Sequence, residues 1–212
     1  MQHKINTNNT NNTNNTNNTT RKNKKGTSSH TKSSRNHQVF SKKDYKSNDG
    51  MLVSIWGPGM WHFLHTMSFN YPIEPSEEDK HHYKDFIQSL GNILPCGKCR
   101  ENYKHNMKDV PILMKHMKSR DSFSRYVYDL HEHINKMLGK KSGLSYDEVR
   151  ERYEHFRARC TENSNISKGK ESGCTTPLYG KKAKCLLKIV PQETECDTMT
   201  IETSCMKKKT SV

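Results

Sequence analysis

The stretch from Ser76 to Cys99, SEEDKHHYKDFIQSLGNILPCGKC, decides the fold. Ser76 with Asp79 three residues on is a cap of the Ser-x-x-acid kind. It opens a run in which Tyr83, Phe86, Ile87, Leu90, Ile93 and Leu94 recur at helical spacing. Pro95 sits where a new helix would start, and Cys96 opens that helix, which runs to about Met107.

The same period extends outward. Upstream, Trp56 to Tyr71 carries Trp61, Leu64, His65 and Phe69 on a helical pattern that Pro72 closes. Downstream, Val110 to Met117 reads as a connector or short helix around Pro111. A helix follows Asp121 with Phe123, Val127, Leu130, Ile134 and Met137/Leu138 facing a core, and Gly139 with the lysines after it ends that helix. Ser145 and Glu148 form another capping box, starting a last helix with Val149, Tyr153 and Phe156. No Val/Ile/Thr run alternates like a strand in this region. The expected fold class is all-α: four or five short helices in about 105 residues, packed as a compact bundle.

That bundle fills only part of the 212 residues. With 30% hydrophobic residues and a mean hydropathy of −1.06, the chain is too polar for a core running end to end. Residues 1–50, an Asn-Asn-Thr tract and then a Lys/Ser/Asn-rich stretch, read as a disordered leader. Residues 51–158 read as the folded domain. Residues 159–212 read as a flexible basic tail with scattered cysteines, in which Leu186–Val190 could form a short strand or helix. No run of about 18 apolar residues exists, so no membrane span is expected. The leader lacks the apolar core of a secretory signal, and its Asn-x-Thr triplets are not expected to be glycosylated; the default compartment is cytoplasmic. Lys and Arg number 36 against 22 Asp and Glu, a net +14. Such a charge permits loose binding to anionic surfaces. The basic residues are spread over tails and helix faces without a reader motif, so nucleic-acid binding is not expected as the main function.

Seven cysteines leave at least one without an intramolecular partner. In a reducing compartment disulfides tend to be transient and catalytic, which points to chemistry rather than scaffolding. The sharpest signal is Pro95-Cys96-Gly97-Lys98-Cys99. Two cysteines at this spacing at a helix start can close a small disulfide ring, and the helix N-terminus and Lys98 favour a thiolate. A zinc site is the competing reading, but it needs a second ligand pair; there is no second Cys-x-x-Cys, and His131 and His133 point to different helix faces. A thioredoxin-like motif would need surrounding strands. No metal ligands are assigned.

The second signal is Trp56-Gly57-Pro58-Gly59-Met60-Trp61-His62-Phe63-Leu64-His65, in which Trp61 and His65 share one helix face. His131 and Asn135 repeat that spacing on the fourth helix. An aromatic and polar groups converging from two helices suit a flat, polar-edged cofactor. The blander reading makes Trp61 a core residue and the histidines partly exposed.

WGPGMWHFLHTMSFNYP, then PCGKC, then HEHINKMLGK, in this order and spacing, resembles the Erv/ALR family of FAD-linked sulfhydryl oxidases over roughly Leu52 to Phe156. The Trp-Gly-Pro opening and Asn-rich leader are similar to versions encoded by large DNA viruses, which would place the protein in host cytoplasm or virions. The resemblance implies a homodimeric four-helix bundle with a short fifth helix, holding FAD in the bundle mouth. It implies that Cys96 exchanges with the incoming dithiol and that Cys99 lies against the flavin. Gly57, Trp61 and His65 would be first-helix flavin contacts. His131 and Asn135 would match the His and second Asn of a His-Asn-x-x-Asn pattern, Lys140 the lysine ending it, and Arg152-Tyr153 an Arg-Trp pair near the adenine. The implied activity joins dithiols of protein substrates, or of a thioredoxin-like relay protein, into disulfides. Molecular oxygen is the implied acceptor and becomes hydrogen peroxide.

Four departures stand out against that pattern. Pro58 stands where cellular members often have Arg, Glu132 replaces the first Asn, and Tyr153 replaces Trp with a stacking face retained. Tyr128 and Ser145 occupy the places of a cysteine pair that often clips the fourth helix to the fifth, so stability is expected from packing and bound FAD. Cys160, Cys174, Cys185, Cys196 and Cys205 are candidates for a second, shuttle disulfide, with no pair nominated. The alternative to an oxidase is a non-enzymatic helical module, a zinc-binding or basic adaptor.

Overall fold

The computed structural model describes residues 41–161 and 173–208, and the leader up to residue 40 lies outside the described residues. The chain divides into two units, Met1–Lys42 and Lys43–Val212, and the described structure falls almost wholly in the second. The elements run α1 (Lys42–Tyr45), α2 (Val53–Phe69), α3 (Glu77–Ile93), α4 (Gly97–Asp109), a 3-10 turn (Met114–Met117), α5 (Arg120–Met137) and α6 (Tyr146–Glu154). Two short strands follow, β1 (Ala158–Thr161) and β2 (Gly173–Pro177), paired antiparallel, and a last 3-10 turn spans Thr203–Cys205.

The architecture is the all-α bundle. α2 packs on α5 and α3 on α4; α4 also meets α5, and α6 lies on α2. The cap expectations hold. Ser76 with Asp79 and Ser145 with Glu148 each exchange both bonds of a capping box. Helix α2 starts at Val53, three residues before the sequence pattern begins, because its N-cap Leu52 makes no side-chain bond that would announce it. Pro58 sits inside α2 without an N–H for the ladder.

Tyr71, Ile87, Leu90, Met117, Phe123, Val127 and Leu130 form the fully enclosed centre. Three buried tyrosines put their hydroxyls onto backbone carbonyls: Tyr71 donates to Met117 (3.0 Å), Tyr103 to Ile87 (2.8 Å) and Tyr126 to Val110 (3.0 Å). Each apolar body fills the core while its polar tip is satisfied. The chain leaving α2 is held by two arginines. Arg157 donates to Phe69 O (2.6 Å) and Arg120 to Tyr71 O (2.6 Å), cations placed where a helix end is negative. Glu154 grips the Arg157 guanidinium through two bonds, fixing that clamp.

The stripes read from the sequence overrun at their ends. Ile93 is 62% exposed, since it lies at the edge of the α3 stripe and Leu94 takes the buried position. Met137 and Leu138 are also exposed, at the last turn and cap of α5, where Gly139 (φ 67°) carries the chain away. Phe156 lies past the end of α6 and is likewise exposed. Leu186–Val190 has no regular structure, whereas an unforeseen strand pair brackets residues 158–177.

A second cluster seats α6: Phe69, Tyr146 and Val149, with Tyr128, Leu144 and Tyr153 against them. Tyr128 on α5 donates its hydroxyl to the Leu144 carbonyl (2.8 Å), next to Ser145 at the α6 N-cap. The Tyr128 position is thus tied by a hydrogen bond to the residue just before Ser145. Tyr128→Phe keeps the packing and removes that bond, so it is expected to lower unfolding stability by about 1 kcal/mol in denaturant titration.

Candidate functional site

Cys96 is the N-cap of α4, and its sulfur accepts the Cys99 backbone N–H at 3.1 Å. Cys96 and Cys99 are disulfide-bonded, with Cα atoms 5.1 Å apart. Lys98, expected from the sequence to favour a thiolate, directs its ammonium to Glu101 (3.1 Å) along the exposed side of the helix. The donor at the Cys96 sulfur is therefore the Cys99 amide at the positive end of α4. Arg100 stiffens the preceding turn by donating to Leu94 O (2.6 Å). Both cysteines are half-buried, and Cys99 packs against the main core together with Trp56, Met60 and Trp61.

The aromatic/histidine constellation forms where α2 meets α5. Trp61 and His131 stack face to face, with ring centroids 3.8 Å apart and planes 5° apart. His65 Nε2 and His131 Nδ1 are 2.9 Å apart and hydrogen-bonded. The ring of Tyr153, from α6, lies 5.3 Å from His65 and 5.5 Å from Phe69. The structure thus brings together Trp61, His65, His131 and Tyr153. His133 turns to the other side of α5 and faces Asp109 (3.7 Å).

The remaining sequence candidates sit around this group less directly. Asn135, one turn beyond His131, donates its side-chain amide to Glu132 (3.0 Å), and its backbone carbonyl accepts the Lys140 N–H (2.8 Å). That last bond closes the glycine turn at the α5 end and places Lys140, whose charge is felt at His131. Gly57 lies one turn before Trp61, with only Val53 near its absent Cβ. Arg152 neighbours Tyr153 on α6 and is half-buried.

Sequence reasoning missed His62. It lies one turn before His65, its ring is 5.6 Å from Tyr153, and its Nδ1 is buried without a hydrogen-bond partner, as is the Nδ1 of His65. The i, i+3 spacing of His62 and His65 was the available signal. Buried unpaired polar atoms are rare in folded proteins, and a bound water, ion or ligand is one way such atoms are satisfied. An open cleft of about 570 Å³ lies elsewhere, lined by Asp147, Arg150, Glu151, Glu154, His155, Lys207 and Lys208. Its mixed charges face neither the disulfide nor the stacked rings. Among the described residues no group of three or more His, Cys, Asp or Glu side chains is placed to hold a metal ion.

In the tail, Cys174 on β2 is disulfide-bonded, while Cys185, Cys196 and Cys205 are free thiols. No described helix is long and apolar enough to cross a membrane.

A helical bundle with a half-buried Cys-x-x-Cys disulfide and an aromatic/histidine cluster where two of its helices meet defines a class, and comparison with known proteins names it. Residues 58–154 match the Erv1 / Alr family. A probable FAD-linked sulfhydryl oxidase of Acanthamoeba polyphaga mimivirus is 39% identical over 104 residues, covering 49% of this chain and 72% of that protein. A protein of Invertebrate iridescent virus 6 bearing the same activity name is 30% identical over 90 residues, 41% of this chain and 81% of its own. The chain belongs to the Erv1/Alr family. It spans about half the length of the cellular members it matches, such as the FAD-linked sulfhydryl oxidase ERV1 of Arabidopsis thaliana (28% identical, 45% of this chain, 48% of that protein). The crystal structure of the yeast Erv1 core is similar at 23% identity, covering 59% of this chain and 96% of that one, with a TM-score of 0.44, too loose to carry weight by itself.

Burial lowers the His65 pKa to about 3, with His131 and His62 adding to the effect, and lowers that of His131 to about 4, with Glu132 opposing. Unfolded histidine titrates near 6.5. Below that pH the unfolded chain takes up protons that the folded chain refuses, so stability is full above pH 6.5 and declines as pH falls toward 4. The decline is at most about 1.4 kcal/mol per pH unit for each histidine. The melting temperature is expected to drop between pH 7 and pH 5, and His65→Gln should roughly halve that drop. An equally steep decline in the variant would contradict the assignment.

Proposed function

We propose that this chain is an FAD-dependent thiol oxidase that makes disulfides in dithiol substrates through Cys96 and Cys99. The observation that carries the reading is the Cys96–Cys99 disulfide at the start of α4, with Cys99 packed on the same core as Trp61.

The residues present fit the cofactor. Trp61, His131 and Tyr153 offer flat faces, and the unpartnered Nδ1 atoms of His62 and His65 offer polar edges inside a buried wall. Neutral His65 and His131 leave that wall uncharged. Lys140 and Arg152 would supply the cations for a pyrophosphate, Gly57 the close approach along α2, and Asn135 an amide on α5. Bound FAD supplies the two-electron chemistry that reoxidises the cysteine pair and reduces oxygen to hydrogen peroxide.

The chain's own part is thiol–disulfide exchange. A substrate thiolate attacks the Cys96 sulfur and breaks the Cys96–Cys99 bond, leaving a substrate–Cys96 mixed disulfide and a Cys99 thiolate. The second substrate thiol, deprotonated, attacks the substrate sulfur and releases Cys96. The substrate leaves as a disulfide, and its two electrons remain on Cys96 and Cys99. The Cys99 N–H at the Cys96 sulfur stabilises the departing thiolate at this step.

Residues 51–158 are proposed as the oxidase domain, acting as a homodimer on protein dithiols or a thioredoxin-like relay. Host cytoplasm or the virion is the proposed site of action, on the strength of the viral relatives. The purified full chain is expected to be yellow and to consume oxygen when given dithiothreitol. Cys99→Ser should keep the colour and lose turnover on the order of 100-fold or more. Colourless protein with stoichiometric zinc would overturn the reading.

A further inference from the structure

The segment before α2 is laid across the disulfide loop. The Met51 N–H donates to the Pro95 carbonyl (2.8 Å), and the Met51 carbonyl in turn accepts the Trp56 indole N–H (3.1 Å). Gly50 is pressed against the redox loop itself. A Cβ at residue 50 would stand 2.9 Å from Cys96 Cα, 3.1 Å from Pro95 O and 3.2 Å from Cys96 Cβ. Two of these atoms belong to backbone, so any side chain there must push the segment or the loop aside. The absence of a Cβ at Gly50 is what allows one backbone to lie on the other.

We propose that Gly50 and Met51 are specificity-determining residues: they form a strap over Cys96 that small dithiols pass and that dithiols on folded proteins must displace. The proposal rests on the thiol-oxidase reading of the Cys96–Cys99 pair. A protein substrate delivers its thiol with flanking backbone, and the Pro95 carbonyl, one residue from the attacked sulfur, is the natural acceptor for that backbone. The strap already holds this acceptor. It is also built to let go, because Gly50, Met51 and Leu52 are all exposed and one hydrogen bond ties the strap to the loop. A small dithiol needs only the sulfur and gains little when the strap opens.

Two variants loosen the strap by independent routes. Gly50→Val introduces the forbidden Cβ, and Met51→Pro removes the N–H that bonds Pro95, while Met51→Leu retains it as a control. The readout is the rate at which reduced thioredoxin and dithiothreitol each reduce the Cys96–Cys99 disulfide of the full chain in oxygen-free buffer, followed by alkylation and peptide mass analysis. In both loosened variants the thioredoxin-to-dithiothreitol rate ratio is expected to rise about threefold to tenfold over wild type, the factor set by one lost backbone hydrogen bond. Met51→Leu should leave it unchanged. An unchanged or lower ratio in Gly50→Val and Met51→Pro, with helix content and melting temperature as in wild type, overturns the strap. Should either variant fold poorly, the other decides. Oxygen consumption by wild type is measured in parallel: its absence would defeat the oxidase reading while the anaerobic ratio still judged the strap.

Discussion

His65 on α2 and His131 on α5 meet ring to ring at 2.9 Å inside the bundle, and burial holds the pKa of each well below that of a free imidazole. One nitrogen donates and the other accepts, so the tautomer of one ring fixes that of the other. The stack of Trp61 on His131 depends on this bond, because it holds the imidazole in the plane that the indole covers. The packing of α2 on α5, the main helix pairing of the bundle, is thus also the wall of the site. The Nδ1 atoms of His62 and His65 are left buried in that wall without a hydrogen-bond partner.

The disulfide depends on a different constraint, the start of α4. Pro95 and the N-cap geometry of Cys96 place both sulfurs at the end of a helix where amides point outward. The same end orders Arg100 on Leu94 O and receives Met51 on Pro95 O. Cys96 is therefore tied to the chain on both sides of it, while the Lys98 ammonium is directed to Glu101.

Much of this was legible in the residues. The Ser76/Asp79 and Ser145/Glu148 caps and the stripes through Ile87, Leu90, Val127 and Leu130 follow from local rules that the structure obeys. The shared face of Trp61 and His65 was visible because i, i+4 spacing puts side chains on one face, whereas the approach of His131 from α5 was expected from the family resemblance. What stayed hidden is what tertiary contact decides. Helix α2 begins without a cap signal, Ile93 and Leu138 lose their burial to geometry at helix ends, and β1 pairs with a strand more than ten residues away in sequence. Tyr128 also gave no hint that its hydroxyl would reach Leu144 O, joining α5 to α6 where a covalent clip is missing.

Glu132 illustrates how a departure from the family pattern is absorbed. It accepts the side-chain amide of Asn135 on the same helix and raises the His131 pKa against burial. The central question is whether the cysteine pair and the aromatic/histidine cluster form one electron path. The direct measurement is stepwise anaerobic addition of dithiothreitol to the purified full chain while its visible flavin absorbance is followed. The account predicts rapid bleaching in wild type and a flavin that stays coloured over the same time in the Cys96→Ser/Cys99→Ser protein. Equal bleaching in the two proteins would contradict it.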